Sequence, residues 1–581
     1  MSKLIPIIIW GLIMASSAQA KTWDTSPDTW VATDALGRGV ATADKVGAPR
    51  KDKFVGVFYF LWLGEHGQTG PWDNTKILAS DPDAMNKPTS PPWGPLHAYH
   101  HWAEPLFGYY LSDDRWVLRK HAQMLSDAGV DVVIFDVTNQ ATYKKNYLAL
   151  CEAWTEVRKA GGRTPRIAFL TPFWDPPKVV REIHADFYGK GMYKDLWFMW
   201  KGKPLIMADP EKVEKEFKDF FTYRRPQPSY FDGPGGPNWW GWLEKYPQHI
   251  YYNAANEPEQ MVVGVGQNTE GTRCCAFSEA STLGRSWHNG KRDTRPGAVN
   301  LGLNVAEQWE RALKVDPEFI FITGWNEWIA MRLDEFAGVR EPVMFVDQFD
   351  QEHSRDIEPM VGGHADAYYY QMVDYIRRFK GARKAPAAST SAKIRIDGSF
   401  ADWAEIQPEY RDDIGDIMHR DHPGWGSAGK YTNDTGRNDI VLAKVACDGK
   451  NVYFYVRAAA PITPHTDPNW MMLLIKPAGA DVKTGWNGYR YIVNRKTRDA
   501  RVTTIERSSG GWTWEAVREV GYRVRGCEME LSIPRAVLGE GKLAFDFKWV
   551  DNALATGDIM ELYTNGDTAP NGRFAYRFTE F

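Results

Sequence analysis

The hydrophobic pattern changes character twice along the chain. Residues 54–63 (FVGVFYFLWL), 130–138 (VDVVIFDVT), 166–173 (RIAFLTPF), 261–267 (MVVGVGQ) and 319–328 (FIFITGWNEW) form near-continuous apolar runs. Such runs predict strands buried on both faces, the environment of a parallel sheet. Between them, apolar positions recur at helical spacing. From Asp113 to Ala128 that spacing puts Trp116, Leu118, His121, Met124 and Leu125 on one face, with Gly129 as the closing glycine. Tyr143 to Ala160, closed by Gly161, and residues 176–188, 305–315 and 368–380 read as further helices. Short strands are expected at 196–199 and 204–208, around the Lys201-Gly202-Lys203 turn. Strand–helix alternation with right-handed crossovers builds a parallel sheet, and so many units favour a closed (β/α)8 barrel over an open sheet. No glycine-rich phosphate loop follows the first strand, which weighs against a dinucleotide fold.

Residues 64–110 interrupt the pattern with a long loop rich in Pro, Gly, Trp and His. Loops of that length are usually functional or disordered, and the aromatic and His content argues against disorder. Residues 382–393 (ARKAPAASTSAK) have the composition of a linker. Beyond it come short alternating segments broken by turns, the signature of an all-β sandwich. The expected plan is a signal peptide at 1–20, a barrel at 21–381, the linker at 382–393 and a sandwich at 394–581.

The first twenty residues decide the expected compartment. Lys3, an apolar run from Leu4 to Met14 and the small-residue site Ala18-Gln19-Ala20 read as a cleavable signal peptide. The apolar run is shorter than the roughly 20 residues a membrane span needs. A mature chain in the periplasm or outside the cell is expected, with no transmembrane segment. The net charge of −4 gives no electrostatic reason to expect nucleic acid or anionic membrane as a partner. Five cysteines do not make a disulfide scaffold over 581 residues, although Cys447 and Cys527 could pair. Tryptophan is the outlier, at 26 residues. Large cores use aromatics as filler, and flat rings also stack on the apolar faces of sugars; composition does not separate the two readings.

Glycosidic hydrolysis needs two carboxyl groups, which a barrel supplies from the C-terminal ends of different strands. Asp136 ends the second long run, with Asn139 just beyond, and Trp174-Asp175 follow the third. Glu327 ends the fifth, between Trp325-Asn326 and Trp328. Apolar neighbours would raise its pKa into the range of an acid catalyst. The alternative is a carboxylate capping the next helix or pairing an arginine such as Arg332. Glu257 and Glu259 precede a strand and rank lower. Tyr59 and Trp62 on the first run, His100, His101 and Glu104 on the long loop, and Gln267, Trp287 and His288 are candidate sugar contacts. Adjacent histidines rarely converge on one centre, so no catalytic metal is expected.

The motif Thr323-Gly324-Trp325-Asn326-Glu327-Trp328 with Ile357-Glu358-Pro359 resembles the N-E-W … E-P pattern of family 99 glycoside hydrolases, the endo-α-mannosidases and endo-α-mannanases, and of the related WbsX-like proteins. The resemblance implies a (β/α)8 barrel with Glu327 in the catalytic pair. The chain departs from the pattern at Ala330, where the family carries a second glutamate. A carboxylate-rich segment follows instead, with Asp347, Asp350, Glu352, Asp356 and Glu358. The partner of Glu327 then comes from this segment, with Glu352 and Glu358 singled out, or from Asp136, or the mechanism differs; the family's substrate does not transfer.

Residues 394–398 (IRIDG) with Asp402-Trp403 resemble the opening of family 9 carbohydrate-binding modules and their DOMON-like relatives. That resemblance implies a sandwich with sugar binding and a structural calcium as candidate properties; a companion domain that binds nothing is the alternative. Trp425, Trp470 and Trp486 are the rings expected to meet sugar. The sequence thus points to a secreted glycoside hydrolase acting on a polysaccharide or glycan. The alternative is a non-catalytic glycan-binding surface protein on a degenerate barrel.

Overall fold

The computed structural model describes residues 23–89, 93–269, 271, 273–388 and 391–580. The expected signal peptide lies outside the described residues.

Eight parallel strands follow one another in chain order around a single sheet. They are β1 (Phe54–Tyr59), β2 (Val132–Asp136), β3 (Arg166–Leu170), β4 (Lys203–Met207), β5 (Thr222–Pro226), β6 (Trp239–Trp240), β7 (Pro258–Gly264) and β8 (Phe319–Thr323). Each of β1 to β5 pairs with the next, and β8 pairs with both β1 and β7. The sheet curls until β6 and β7 face each other across a seam. There the side-chain amide of Gln260 receives a hydrogen bond from Gly241 N at 3.2 Å and donates to Gly241 O at 2.8 Å. Asn238 N adds a bond to Tyr252 O at 2.9 Å. The architecture is a nearly barrel-shaped parallel sheet, joined to antiparallel sheets.

Residues of β2, β3 and β8 face covering layers on both sides and are fully buried, apart from the first residue of β3 and Asp136. Gly56 in β1 is required by a close approach, since a Cβ there would stand 2.7 Å from the Phe319 ring. Crossovers are made by α1 (Arg115–Ala128), α2 (Lys144–Lys159), α3 (Pro177–Ile183) and α4 (Leu303–Val315), and α5 (Ala367–Lys380) follows β8. Asp114 caps α1 through Trp116 N and Val117 N, and Gly129 ends it at φ 86°. Among the described residues no helix joins β5 to β6 or β6 to β7.

Two barrel strands carry no apolar run. In β5 (TYRRP), Arg224 is buried because it forms a two-pronged ion pair with Glu259 of β7, both bonds at 2.6 Å, and Trp240 Nε1 donates to the same carboxylate at 2.8 Å. A paired charge looks polar in sequence and behaves as core in the fold. The run 319–328 is also not one strand. It ends at Thr323, and after a turn the chain enters a hairpin of β9 (Ile329–Phe336) and β10 (Val339–Phe345). The loop 64–110 contains a helix (Asn74–Ser80) and a strand (Tyr99–His101) that pairs with β9.

From Tyr410 onward the strands build an eleven-stranded antiparallel arrangement, which docks firmly on the barrel. Arg420 donates to Asp114 Oδ2 at 2.8 Å and to Phe107 O at 2.9 Å. Tyr563 donates to Asp366 Oδ2 at 2.9 Å, and Arg573 pairs with the same carboxylate. Val31 and Ala575 exchange backbone hydrogen bonds at 3.0 and 2.8 Å. Within 382–393, Arg383 is held by Asp24 and Asp28; residues 389 and 390 are outside the described set. All five cysteines are free, and Cys447 Sγ contacts Glu580 rather than Cys527. Trp425, Trp470 and Trp486 are buried, so none offers a face to sugar. Trp425 instead packs on His101 and donates to Thr69 O at 3.0 Å, sealing the joint with the barrel.

Candidate active site

Glu327 lies just past the C-terminal end of β8, 4% exposed. Its Oε2 accepts a hydrogen bond from Gln348 at 2.6 Å and stands 3.4 Å from Arg355 Nη2. That same nitrogen is 3.8 Å from Asp347 Oδ1. Sharing one nitrogen bounds the separation of the two carboxylates at about 7 Å, inside the span over which carboxyl pairs hydrolyse glycosides. Burial pushes the Glu327 carboxyl well above its ordinary pKa; Arg355 opposes this, and Asp347, Asp356 and Asp136 reinforce it. Asp347 differs in exposure, with 41% of its side chain open to solvent. Its pKa is raised, because burial outweighs the opposing charge of Arg355. One carboxyl is sealed and the other is open to solvent.

Asp136, at the end of β2, is the third carboxyl. Its Oδ1 accepts from Thr138 N at 3.0 Å. Burial raises its pKa to about 6, against the hydrogen bonds from Thr138, and the charge of Asp347 adds to the rise. Glu327 thus feels the charges of both Asp347 and Asp136, and shares one guanidinium with Asp347.

The 346–358 segment distributes its carboxylates by position. Asp356 accepts from the backbone N of Glu327 and from Trp102 Nε1, the latter at 2.6 Å, which fixes the backbone that carries Glu327. Glu358 lies beneath the site, fully buried, with Tyr110 and Trp328 Nε1 donating to it at 2.8 and 2.5 Å and His121 Nε2 at 2.8 Å. His121 Nδ1 meets Tyr59 OH at 2.8 Å, so Tyr59 belongs to this support network. Glu352 faces away and accepts from Ser286 N and Oγ at 2.9 and 2.6 Å. Asp350 binds His353.

The aromatic motif residues are structural in placement. Asn326 accepts from Phe60 N at 2.9 Å and donates to Phe60 O at 3.2 Å, pinning the chain beyond β1. Trp325 is buried edge-on to His121, and Trp328 stacks on Trp102 with centroids 5.0 Å apart. Ala330 is buried beside Ile77, Trp93 and Phe345, an apolar site that leaves no place for a carboxylate. The arginine that meets Glu327 is Arg355; Arg332 binds Gly94 O and Pro88 O.

The loop histidines do not converge on the cluster. His100 and His101 are neighbours on a strand and so point to opposite faces. His100 sits among Trp72, Trp93 and Phe345, and His101 between Tyr109 and Trp425. Burial pushes both down to about 3, so both are neutral. Glu104 pairs with Lys76 at the surface. Gln267 is buried on Glu244 O, and Trp287-His288 form a small hairpin with Lys291-Arg292.

An open cavity of about 540 Å³ adjoins the carboxyl cluster, lined by Phe173, Trp174, Tyr230, Phe231 and Trp239 with Lys212, Arg225 and Cys274. Tyr230 and Cys274 feel the charges of Asp347 and Arg355, which puts these two groups within electrostatic reach of the cavity wall. Trp174 is 73% exposed, an unusual state for so large a ring. Asp175 is exposed beside it. On the other flank Tyr143 OH receives Asn139 Nδ2 at 2.5 Å and meets His66 Nε2 at 2.7 Å, and Trp62 and Tyr99 pack against His66.

Comparison with solved structures finds a family 99 endo-α-mannosidase from Bacteroides thetaiotaomicron, at 16% identity and a TM-score of 0.34, over 58% of this chain and 99% of that one. A second, the endo-α-mannosidase of that family and organism in complex with Bis-Tris-propane, gives 18% identity and a TM-score of 0.31, over 57% and 97%. No family model and no curated protein matches the chain. Likeness at this level says nothing of substrate, and the chemistry rests on the side chains themselves.

The sequence names Asp347 only as one of the segment's carboxylates, and does not single out Gln348 or Arg355. The signal was present in the density of charged and amide groups after Phe345, but spacing alone did not tell which would turn toward Glu327.

Proposed function

We propose that this protein is a secreted glycoside hydrolase acting on a polysaccharide or glycan, with Glu327 and Asp347 as its carboxyl pair on an eight-stranded (β/α)8 barrel. The carrying observation is one guanidinium shared by a sealed and an open carboxylate, with Asp347 and Arg355 in electrostatic reach of Tyr230 and Cys274 in the wall of an aromatic cavity of about 540 Å³. Glu327, protonated by burial, donates to the leaving oxygen. Asp347, paired with Arg355 and reached by solvent, attacks the anomeric carbon or activates water on the opposite face. Asp136 raises the proton affinity of Glu327 through its own charge. Trp174 and Trp239 offer flat faces to sugar rings, and the reaction needs no cofactor.

The test is release of reducing ends from a glycan panel by wild type, Glu327→Gln and Asp347→Asn. Loss of about a hundredfold or more in kcat is expected for each variant, the range of acid–base contributions. Wild type that binds a glycan without releasing any reducing end would establish the alternative, a non-catalytic glycan-binding surface protein on a degenerate barrel. The observation favouring that alternative is the apolar burial of Ala330.

A further inference from the structure

The joint between sandwich and barrel holds an acidic nest that the proposed reaction does not use. Asp412 and Asp416, on the loop after Arg411, meet Asp567 from a distant strand (Asp567–Ala569), with one oxygen from each within 4.8 Å of the others. Asp412 is 0% exposed, yet neither of its carboxylate oxygens has a hydrogen-bond partner. One oxygen each of Asp416 and Asp567 is likewise unpartnered. A fourth carboxylate, outside that trio, repeats the pattern. Asp439 is 7% exposed, binds Gly415 N through Oδ2 at 2.9 Å, and leaves Oδ1 without a partner beside Asp416. Buried polar atoms are nearly always satisfied, so five orphaned carboxylate oxygens in one place call for a ligand.

From this geometry we infer a divalent cation site formed by Asp412, Asp416, Asp439 and Asp567, which clamps the sandwich to the barrel. The donor set is all oxygen, without His or Cys, and is mostly anionic; it suits a hard cation, and its five or more available oxygens suit calcium better than magnesium. Lys548 Nζ, buried and without a hydrogen-bond partner, lies near Asp412 and Asp567, but a single ammonium does not balance four carboxylates. Without a cation, burial and the charge of Asp416 push Asp412 and Asp567 well above the ordinary carboxylate range. Lys120, Gln123 and Asp127 of α1 face the nest from the barrel. Gln123 Nε2 donates to Asp413 and Asp416 at 3.0 and 2.7 Å, and Arg119 donates to Gly415 O at 2.6 Å. The loop that carries two of the ligands is thus the loop that grips α1. Helix α1 also carries His121, which supports Glu358 under the catalytic cluster. The cation orders the joint and, through α1, steadies the site.

The test uses the full chain stripped with EGTA and passed over a chelating resin. Calcium chloride is titrated by calorimetry, and thermal unfolding and hydrogen–deuterium exchange are recorded with and without it. Expected are one saturable site, a Tm that rises with the logarithm of free calcium, and slower exchange over residues 411–416. Asp412→Asn and Asp567→Asn should weaken binding by about a hundredfold or more. Asp416→Asn, at a half-buried position, gives the same reading if those two fail to fold. The inference is overturned if stripped wild type binds neither calcium nor magnesium at millimolar concentration. It is equally overturned if the folded variants keep the wild-type response.

Discussion

Arg355 Nη2 stands 3.4 Å from Glu327 Oε2, and both groups are almost wholly shielded from water. A guanidinium there lowers the proton affinity of Glu327 and of Asp347 together. Arg355→Met should therefore raise both pKa values and carry both limbs of the pH profile of kcat/KM toward higher pH. A profile that keeps its limbs while losing height would assign Arg355 to binding instead.

Asp136 gives stability a pH dependence of defined sign. Its folded pKa of about 6 exceeds the ordinary value of 3.8, so the folded state holds the proton more tightly. Its contribution is complete below pH 4 and is lost as pH rises through about 6, a swing of about 3 kcal/mol. Asp136→Asn keeps the Thr138 contact and removes the charge. Denaturant unfolding at pH 7.5 should find the variant more stable than wild type, with little difference at pH 4.

Glu358 accepts from Tyr110, His121 and Trp328 at once. Glu358→Ala orphans three buried donors and should cost about 3–5 kcal/mol. Glu358→Gln keeps the shape and should cost less, about 1–3 kcal/mol. Equal losses for both, measured by urea unfolding, would show that the charge and not the hydrogen bonding matters.

Trp174 tests the cavity without touching the core. At 73% exposure its replacement by alanine should change stability by no more than about 0.5 kcal/mol. KM for a cleaved glycan should rise about tenfold, with kcat less affected, if the ring supplies stacking worth about 1–1.5 kcal/mol. An unchanged KM would move the sugar path to the Tyr143 flank.

Gln260 holds the barrel seam by filling the place of a strand pair. Gln260→Ala leaves Gly241 N and O without partners and should cost about 2–4 kcal/mol. Protection of the amides around Gly241 in hydrogen exchange should fall with it.

The sequence revealed the strands whose residues are apolar throughout, β1, β2, β3 and β8, along with the helices between them. It concealed β5 and β6, because Arg224 and Glu259 cancel each other's charge only once folded. It joined β8 to the turn after it, because Trp325 and Trp328 look like strand residues and are instead buried against His121 and Trp102. Glu327 was legible as a carboxylate at a strand end. Its neighbours were not, since Asp347, Gln348 and Arg355 reach it from a returning segment whose path depends on the β9–β10 hairpin. The His100-His101 pair misled for a related reason: alternation along a strand divides adjacent residues between two apolar pockets.

Arg420 is wedged between the Trp116 and Tyr431 rings while it binds the Asp114 cap of α1. The sandwich is therefore no tethered appendage that samples a polysaccharide at the end of a leash. Cutting the chain at the linker would leave the buried Asp114 carboxylate without its guanidinium. The start of α1 thus depends on a residue 306 positions further along the chain.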